Sequence, residues 1–185
     1  MRVLGISGSL RRDSHNTKLL RAAGEIVEQH GGQFELFDGL KAIPPYDEDD
    51  DVANGPTAVE ALKEAIADAD ALLFATPEYN SSIPGVLKNA VDWASRPLAT
   101  NPLRNKQVAV IGASIGMFGA VWAQAELRKV LAATGARVTE VELAVGHAHE
   151  RLDASGHPID AAQAEALGDS VVMLMAKLQQ LDMAA

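Results

Sequence analysis

The sequence predicts an α/β fold: a doubly wound parallel sheet with helices on both faces. Strand-sized apolar runs alternate with helix-period segments five times along the chain, the pattern of repeated βα units. One run, Ala71-Leu72-Leu73-Phe74-Ala75, is apolar without alternation, as a strand buried on both faces is. The chain has 185 residues with no internal repeat and no linker-like tract, so 1–185 reads as one domain.

The first strand is expected over Arg2 to Ile6, followed by a polar loop and a helix over Thr17 to Gln29. Leu19, Leu20, Ala23, Ile26 and Val27 share one side of that helix. His30-Gly31-Gly32 stops it, and Gln33 to Phe37 reads as a second strand. The stretch Ile43 to Pro56, with three prolines and the acidic run Asp47 to Asp51, reads as a solvated loop. Thr57 to Ala67 is helical, with Val59, Leu62 and Ile66 as its buried stripe. The third strand, from Ala71, stops at Thr76-Pro77, and a helix runs from Pro84, suited to a first turn, to Ser95. Val108 to Ile111 is the fourth strand, Phe118 to Ala133 the next helix, and Arg137 to Leu143 a half-exposed fifth strand. Asp153 to Gly156 is a turn, and Asp160 to Leu181 closes the chain as a helix.

Five such units fit the flavodoxin-like strand order 2-1-3-4-5, which places a ligand crevice at the carboxyl ends of strands one and three. The loops after Ser7, Phe74 and Ile111 are therefore the expected seat of function, and they also hold the unusual residues of the chain.

Composition narrows the chemistry. Cysteine is absent, which removes disulfides, thiolate nucleophiles and Cys-based metal clusters. Lys plus Arg number 16 against 25 for Asp plus Glu, a formal charge of −9, so a nucleic-acid partner is not expected. No apolar run is long enough to cross a membrane and no secretory leader is visible, so the expected compartment is the cytoplasm with no membrane partner.

The first loop, Ser7 to Thr17, gathers small hydroxyls and donors before a helix N-terminus, where unsatisfied amides and a positive dipole attract an anion. Ser9, Ser14, Asn16 and Thr17 can add side-chain donors and Arg11 a charge-assisted bond, which suits a phosphate monoester. A plain helix cap at Ser14 or Asn16 explains one of these residues but not the run of them. The P-loop and G-x-G-x-x-G patterns are both missing, which favours a mononucleotide over a nucleoside triphosphate or a dinucleotide. In the second loop Pro77 and Pro84 impose stiffness, Tyr79 offers a planar face, and Glu78 and Asn80 offer polar edges. The third, Gly112 to Gly119 with Ser114, is Gly-rich enough to let backbone approach a ligand, or simply to turn. His147-x-His149 and His157 read as surface histidines, with no metal site expected, and Trp93 and Trp122 as core or subunit contacts.

Gly8-Ser9-Leu10-Arg11 through Ser14-x-Asn16, Pro77-Glu78-Tyr79-Asn80, and Pro84 to Trp93 together resemble the NADPH-dependent FMN reductase family, which includes quinone, chromate and azo-dye reductases. The resemblance runs nearly end to end, including Asp153 to Asp160. It implies non-covalently bound FMN: Ser9, Arg11, Ser14 and Asn16, with Thr17 alongside, at its phosphate, Pro77 to Asn80 along the isoalloxazine, and Ser114 meeting the ring. Where the family commonly has proline after that serine, this chain has Ile115. The resemblance also implies NAD(P)H as co-substrate, ping-pong delivery to a small electron acceptor, and a homodimer or homotetramer with the flavin near a subunit boundary. No residue is assigned as catalytic, because the flavin carries the chemistry. The alternative is a flavodoxin-like FMN electron carrier without NAD(P)H turnover, although Arg11 and Arg12 stand in a loop that carriers build without arginine. A phospho-receiver domain would need acidic residues where Ser7 and Thr76 stand.

Overall fold

The three central strands of the sheet bury side chains on both of their faces, and this dictates two helical layers. The computed structural model describes residues 1–52 and 55–182. Its elements are β1 (Arg2–Ser7), α1 (His15–Gln29), β2 (Gln33–Phe37), α2 (Thr57–Asp68), β3 (Ala71–Thr76), α3 (Gly85–Ala94), β4 (Gln107–Ala113), α4 (Val121–Ala133), β5 (Arg137–Val138), β6 (Leu143–Val145), α5 (Ala148–Arg151) and α6 (Ala161–Asp182). All pairings are parallel, in the order β2-β1-β3-β4-β5, with β6 also on β4. The expected strand order is therefore present, and β1 and β3 lie side by side with Ile6 opposite Phe74.

Alternate residues sort to opposite faces, as the pleat requires. Leu4, Ile6, Leu72, Phe74, Val108 and Val110 pack on one side with Leu62, Ile66, Leu87, Trp93 and Leu127 from α2, α3 and α4. Val3, Leu73, Ala75, Ala109 and Ile111 pack on the other with Leu19, Leu20 and Val27 of α1 and Leu167, Val171 and Leu174 of α6. Trp93 is core, its indole Nε1 donating to the Pro44 carbonyl at 2.9 Å. The acidic loop forms a short 3₁₀ turn at Glu48–Asp50, and Asp51 pairs with Lys63 at 3.4 Å.

Two elements depart from expectation. Helix α4 starts at Val121 instead of Phe118, because Gly119 and Ala120 both have φ near 60°, outside helical space. The fifth strand is not continuous from Arg137 to Leu143 but splits into β5 and β6. From Val138 to Val141 is three residues, so the apolar alternation slips by one and a single strand could not keep both on the core face. The Arg128 side chain closes the gap: its Nη2 donates to the carbonyls of Val110 on β4 (2.8 Å) and Val141 (3.0 Å) and to Gln124 Oε1 (3.2 Å). Burial lowers the pKa of this guanidinium, with Glu142 opposing. The side chain thus replaces ladder bonds that the missing strand would have made. Arg128→Ala leaves two backbone acceptors without a charged donor and is expected to lose about 2–3 kcal/mol of stability. Urea unfolding of the variant, with Arg128→Lys recovering part of the loss, measures this.

Candidate functional site

The loops after β1, β3 and β4 converge on one cleft of about 340 Å³ at the carboxyl ends of the strands. The first loop contributes Ser9, Arg11, Ser14, His15 and Asn16, the second Pro77, Glu78 and Tyr79, and the third Ser114 and Ile115 beside Ala113. A wider depression, about 410 Å³, lies at the opposite edge around Arg2, Gln33 and Glu35. It sits at the amino ends of the strands, away from the helix N-termini that attract ligands in such sheets.

The chain reaches this arrangement through local chemistry. Ser14 is the N-cap of α1, its Oγ accepting from the Thr17 amide at 3.2 Å, so the helix begins two residues earlier than periodicity alone suggests. The amides of His15 and Asn16 precede the first intrahelical acceptor and belong to the unsatisfied first turn. Asn16 is buried, and its carboxamide bonds the backbone of one residue twice: Nδ2 donates to the Ala113 carbonyl (2.8 Å) and Oδ1 accepts from the Ala113 amide (2.9 Å). Strand β3 ends at Thr76, and beyond that point the Asn16 side chain bonds the backbone of β4. Thr17 Oγ1 bonds Ser7 Oγ at 2.8 Å, under the loop and outside the cleft lining.

In the second loop, Tyr79 and Ser82 exchange both backbone bonds (3.0 and 3.1 Å) around Asn80 and Ser81, whose φ values are 53° and 61°. These are the two left-handed corners of a type I′ turn, a conformation that Asn tolerates. Asn80 therefore serves the turn and lies outside the cleft lining, while Tyr79 lines the cleft and is 54% exposed. The Glu78 carboxylate reaches the start of α4, with Oε2 accepting from the amides of Trp122 (3.0 Å) and Ala123 (3.1 Å).

In the third loop the tight approach is between protein backbones. A Cβ on Gly119 would fall 2.4 Å from the Ala144 carbonyl carbon on β6, so this glycine, with its positive φ, is required by packing. Ser114 Oγ accepts from the Gly116 amide (3.1 Å), and Ile115 is 66% exposed.

Charge is distributed unevenly. Lys18 is neutralised by Asp13 at 2.6 Å, which holds the Asp13 carboxyl below its usual range. Among the described residues neither Arg11 nor Arg12 has an ion-pair partner. His15 titrates below the usual histidine range, first through burial and then through the positive charges of Arg11 and Lys18. Among the described residues, no group of three or more His, Asp or Glu is placed to hold a metal ion.

Comparison with known proteins agrees with this geometry. The model of the NADPH-dependent FMN reductase family matches residues 1–150. The chain belongs to the NADPH-dependent FMN reductase family. It is 46% identical over 161 residues to an NAD(P)H-dependent FMN reductase of Pseudomonas aeruginosa, covering 86% of this chain and 85% of that one. It is 40% identical over 158 residues to a 2-hydroxy-1,4-benzoquinone reductase of a Burkholderia species, covering 85% of each. Among solved structures, the flavoenzyme NAD(P)H:(acceptor) oxidoreductase FerB of Paracoccus denitrificans superposes with a TM-score of 0.86 at 37% identity, over 97% of both chains. The chain is thus an FMN-dependent NAD(P)H oxidoreductase of flavodoxin-like fold.

The donor set fits FMN. A phosphate monoester needs convergent amides, hydroxyls and a positive charge; the first turn of α1, Ser9, Ser14 and Arg11 bring these to one end of the cleft. A flat heterocycle needs a stiff, partly apolar slot, which Pro77, Tyr79 and Ile115 border at the other. Two lining residues escaped sequence reasoning. His15 was hidden because it sits between two recognisable polar positions, and Ala113 because only its backbone takes part. Asn16→Ala leaves the Ala113 peptide unpaired in a buried position and is expected to lose about 2–3 kcal/mol of stability. Asn16→Asp, which keeps the acceptor but removes the donor, is expected to fall between that variant and the parent in a thermal or urea melt.

Proposed function

We propose that residues 1–185 form a single FMN-binding domain that oxidises NAD(P)H and passes the reducing equivalents to quinones, azo compounds, metal oxyanions or free flavin by a ping-pong mechanism. The observation that carries this reading is the convergence of an anion-ready helix start and a stiff, flat slot in one open cleft. FMN, when bound, would supply the hydride- and electron-transfer chemistry. The protein's share is to hold and orient. Arg11 and the amides of His15 and Asn16 take the phosphate, with hydroxyl donors from Ser9 and Ser14. Asn16 acts through its backbone, since its carboxamide is engaged with Ala113, and Thr17 supports the loop through Ser7. Pro77, Tyr79 and Ser114 border the ring, and Glu78 and Asn80 shape the loop that carries Tyr79.

We further propose a homodimer or homotetramer. Phe118 and Trp122 pack edge to face at 4.9 Å while remaining about half exposed, next to exposed Ile115 and Met117 and close to Tyr79. An apolar group of this size beside a cleft is what a second subunit would cover. Light scattering of the purified protein gives the mass of the assembly. No helix among the described residues is long and apolar enough to cross a membrane, and the cytoplasm, with its NAD(P)H pool, is the compartment we propose.

The test of the function is anaerobic reduction of the flavin-loaded protein by NADH and by NADPH, followed by mixing with each acceptor class. Bleaching of the flavin by the nucleotide and its recovery on adding the acceptor, with sustained turnover, is the expected result. Bleaching by dithionite but by neither nucleotide would favour the electron-carrier reading. Arg11→Ala is expected to weaken FMN binding roughly 10- to 150-fold, about 1.5–3 kcal/mol, as for loss of a charged hydrogen bond, and to leave riboflavin, which has no phosphate, nearly unaffected. Fluorescence titration with both ligands checks this. Tyr79→Ala is expected to change kcat/KM for the acceptor while most of the FMN stays bound, which steady-state kinetics and the flavin absorbance of the purified variant will show.

A further inference from the structure

Helix α4 has no cap of its own. The residue before it, Ala120, adopts the left-handed conformation and has no polar side chain, so the first amides of the helix need an acceptor from elsewhere. That acceptor comes from 44 residues away: Glu78 Oε2 receives the amides of Trp122 and Ala123 at 3.0 and 3.1 Å. A carboxylate at a helix N-terminus is also favoured by the helix dipole. A second contact follows within the next turn. Ser82 Oγ donates to Glu126 Oε2 at 2.6 Å. The two contacts bracket the Tyr79–Ser82 turn, so the segment presenting Tyr79 to the cleft is fastened to α4 at both ends.

We infer that Glu78 is a positioning residue: by capping α4 from outside the helix, its carboxylate sets the ring-side wall of the flavin cleft without itself bonding the flavin. The inference rests on FMN being the ligand of this cleft. It differs from the expectation, drawn from the family resemblance, that Glu78 lines the isoalloxazine. A carboxylate whose Oε2 already receives two amides is committed to the helix, and its effect on the flavin passes through Pro77 and Tyr79.

The experiment compares the parent, Glu78→Gln and Glu78→Ala by amide hydrogen exchange in the flavin-free protein and by fluorescence titration with FMN and with riboflavin. Glutamine keeps an oxygen able to accept both amides; alanine does not. In Glu78→Ala the Trp122 and Ala123 amides are expected to exchange roughly tenfold faster or more, as for loss of a helix cap. FMN and riboflavin should weaken by the same factor in that variant, since the phosphate end is untouched, and Glu78→Gln should recover most of both effects. Unchanged exchange at Trp122 and Ala123 in Glu78→Ala would overturn the inference. So would a Glu78→Gln variant as impaired in flavin binding as Glu78→Ala with normal exchange, which would mean direct contact with the flavin. If Glu78→Ala does not fold, exchange and titration of Glu78→Gln and of Ser82→Ala, which cuts the second tether, decide it. Ser82→Ala should weaken both ligands equally; unchanged binding there, or weakened flavin binding in Glu78→Gln with normal exchange, counts against the inference. Failure of the parent protein to bind either flavin would instead overturn the assignment of the cleft, while the exchange result would still stand or fall by itself.

Discussion

The peptide of Ala113 is held from two sides, and the site is organised around it. On one side β4 pairs with β6 through Ala113 and Val145; on the other β3 has ended at Pro77, and the carboxamide of Asn16 takes its place. Beyond the end of β3, an asparagine at the second position of α1 bonds β4 with one donor and one acceptor. Because Asn16 sits in the first turn of α1, the same pair of bonds fixes where that turn points. The amide donors of the first loop and the backbone of the third are thereby locked in register across the end of β3, which is why a cleft forms there instead of three independent loops.

The other wall is held by α4, which borrows its N-terminal acceptor from Glu78 and lends Glu126 to Ser82. The glycine at 119 lets the start of this helix lie against β6, and Arg128, farther along the same helix, fills the break between β5 and β6. One helix therefore stabilises the edge of the sheet with its middle and orients the second loop with its first turn. The acidic balance of the chain does not contradict a phosphate site. At the cleft the local balance is reversed by Arg11 and the helix start, and the pKa of His15 is lowered first by burial and then by the charges of Arg11 and Lys18. Local potential, and not net charge, governs what an anion meets.

Much of this is legible in the sequence. The strand runs, their order and the crevice they imply follow from a period of two meeting a period of 3.6, and both faces of β3 are buried as the unbroken run Ala71 to Ala75 requires. Ser9, Arg11 and Ser14 stand in the cleft because residue type and nearness to a helix start are local properties, readable in order along the chain. The same locality leaves out the partners of Asn16, Asn80 and Glu78. Each looks like a free polar group in sequence, and each is committed in space: to a peptide 97 residues away, to a left-handed turn, and to a helix 44 residues away. The fifth strand divides for a similar reason, since the side chain that fills its break comes from α4. Hydrophobic period and helix-start chemistry depend on neighbours along the chain and so can be read from it. Which donor meets which acceptor depends on distances that exist once the sheet has brought remote segments together, and those pairings settle whether a polar residue faces a ligand or holds the wall behind it.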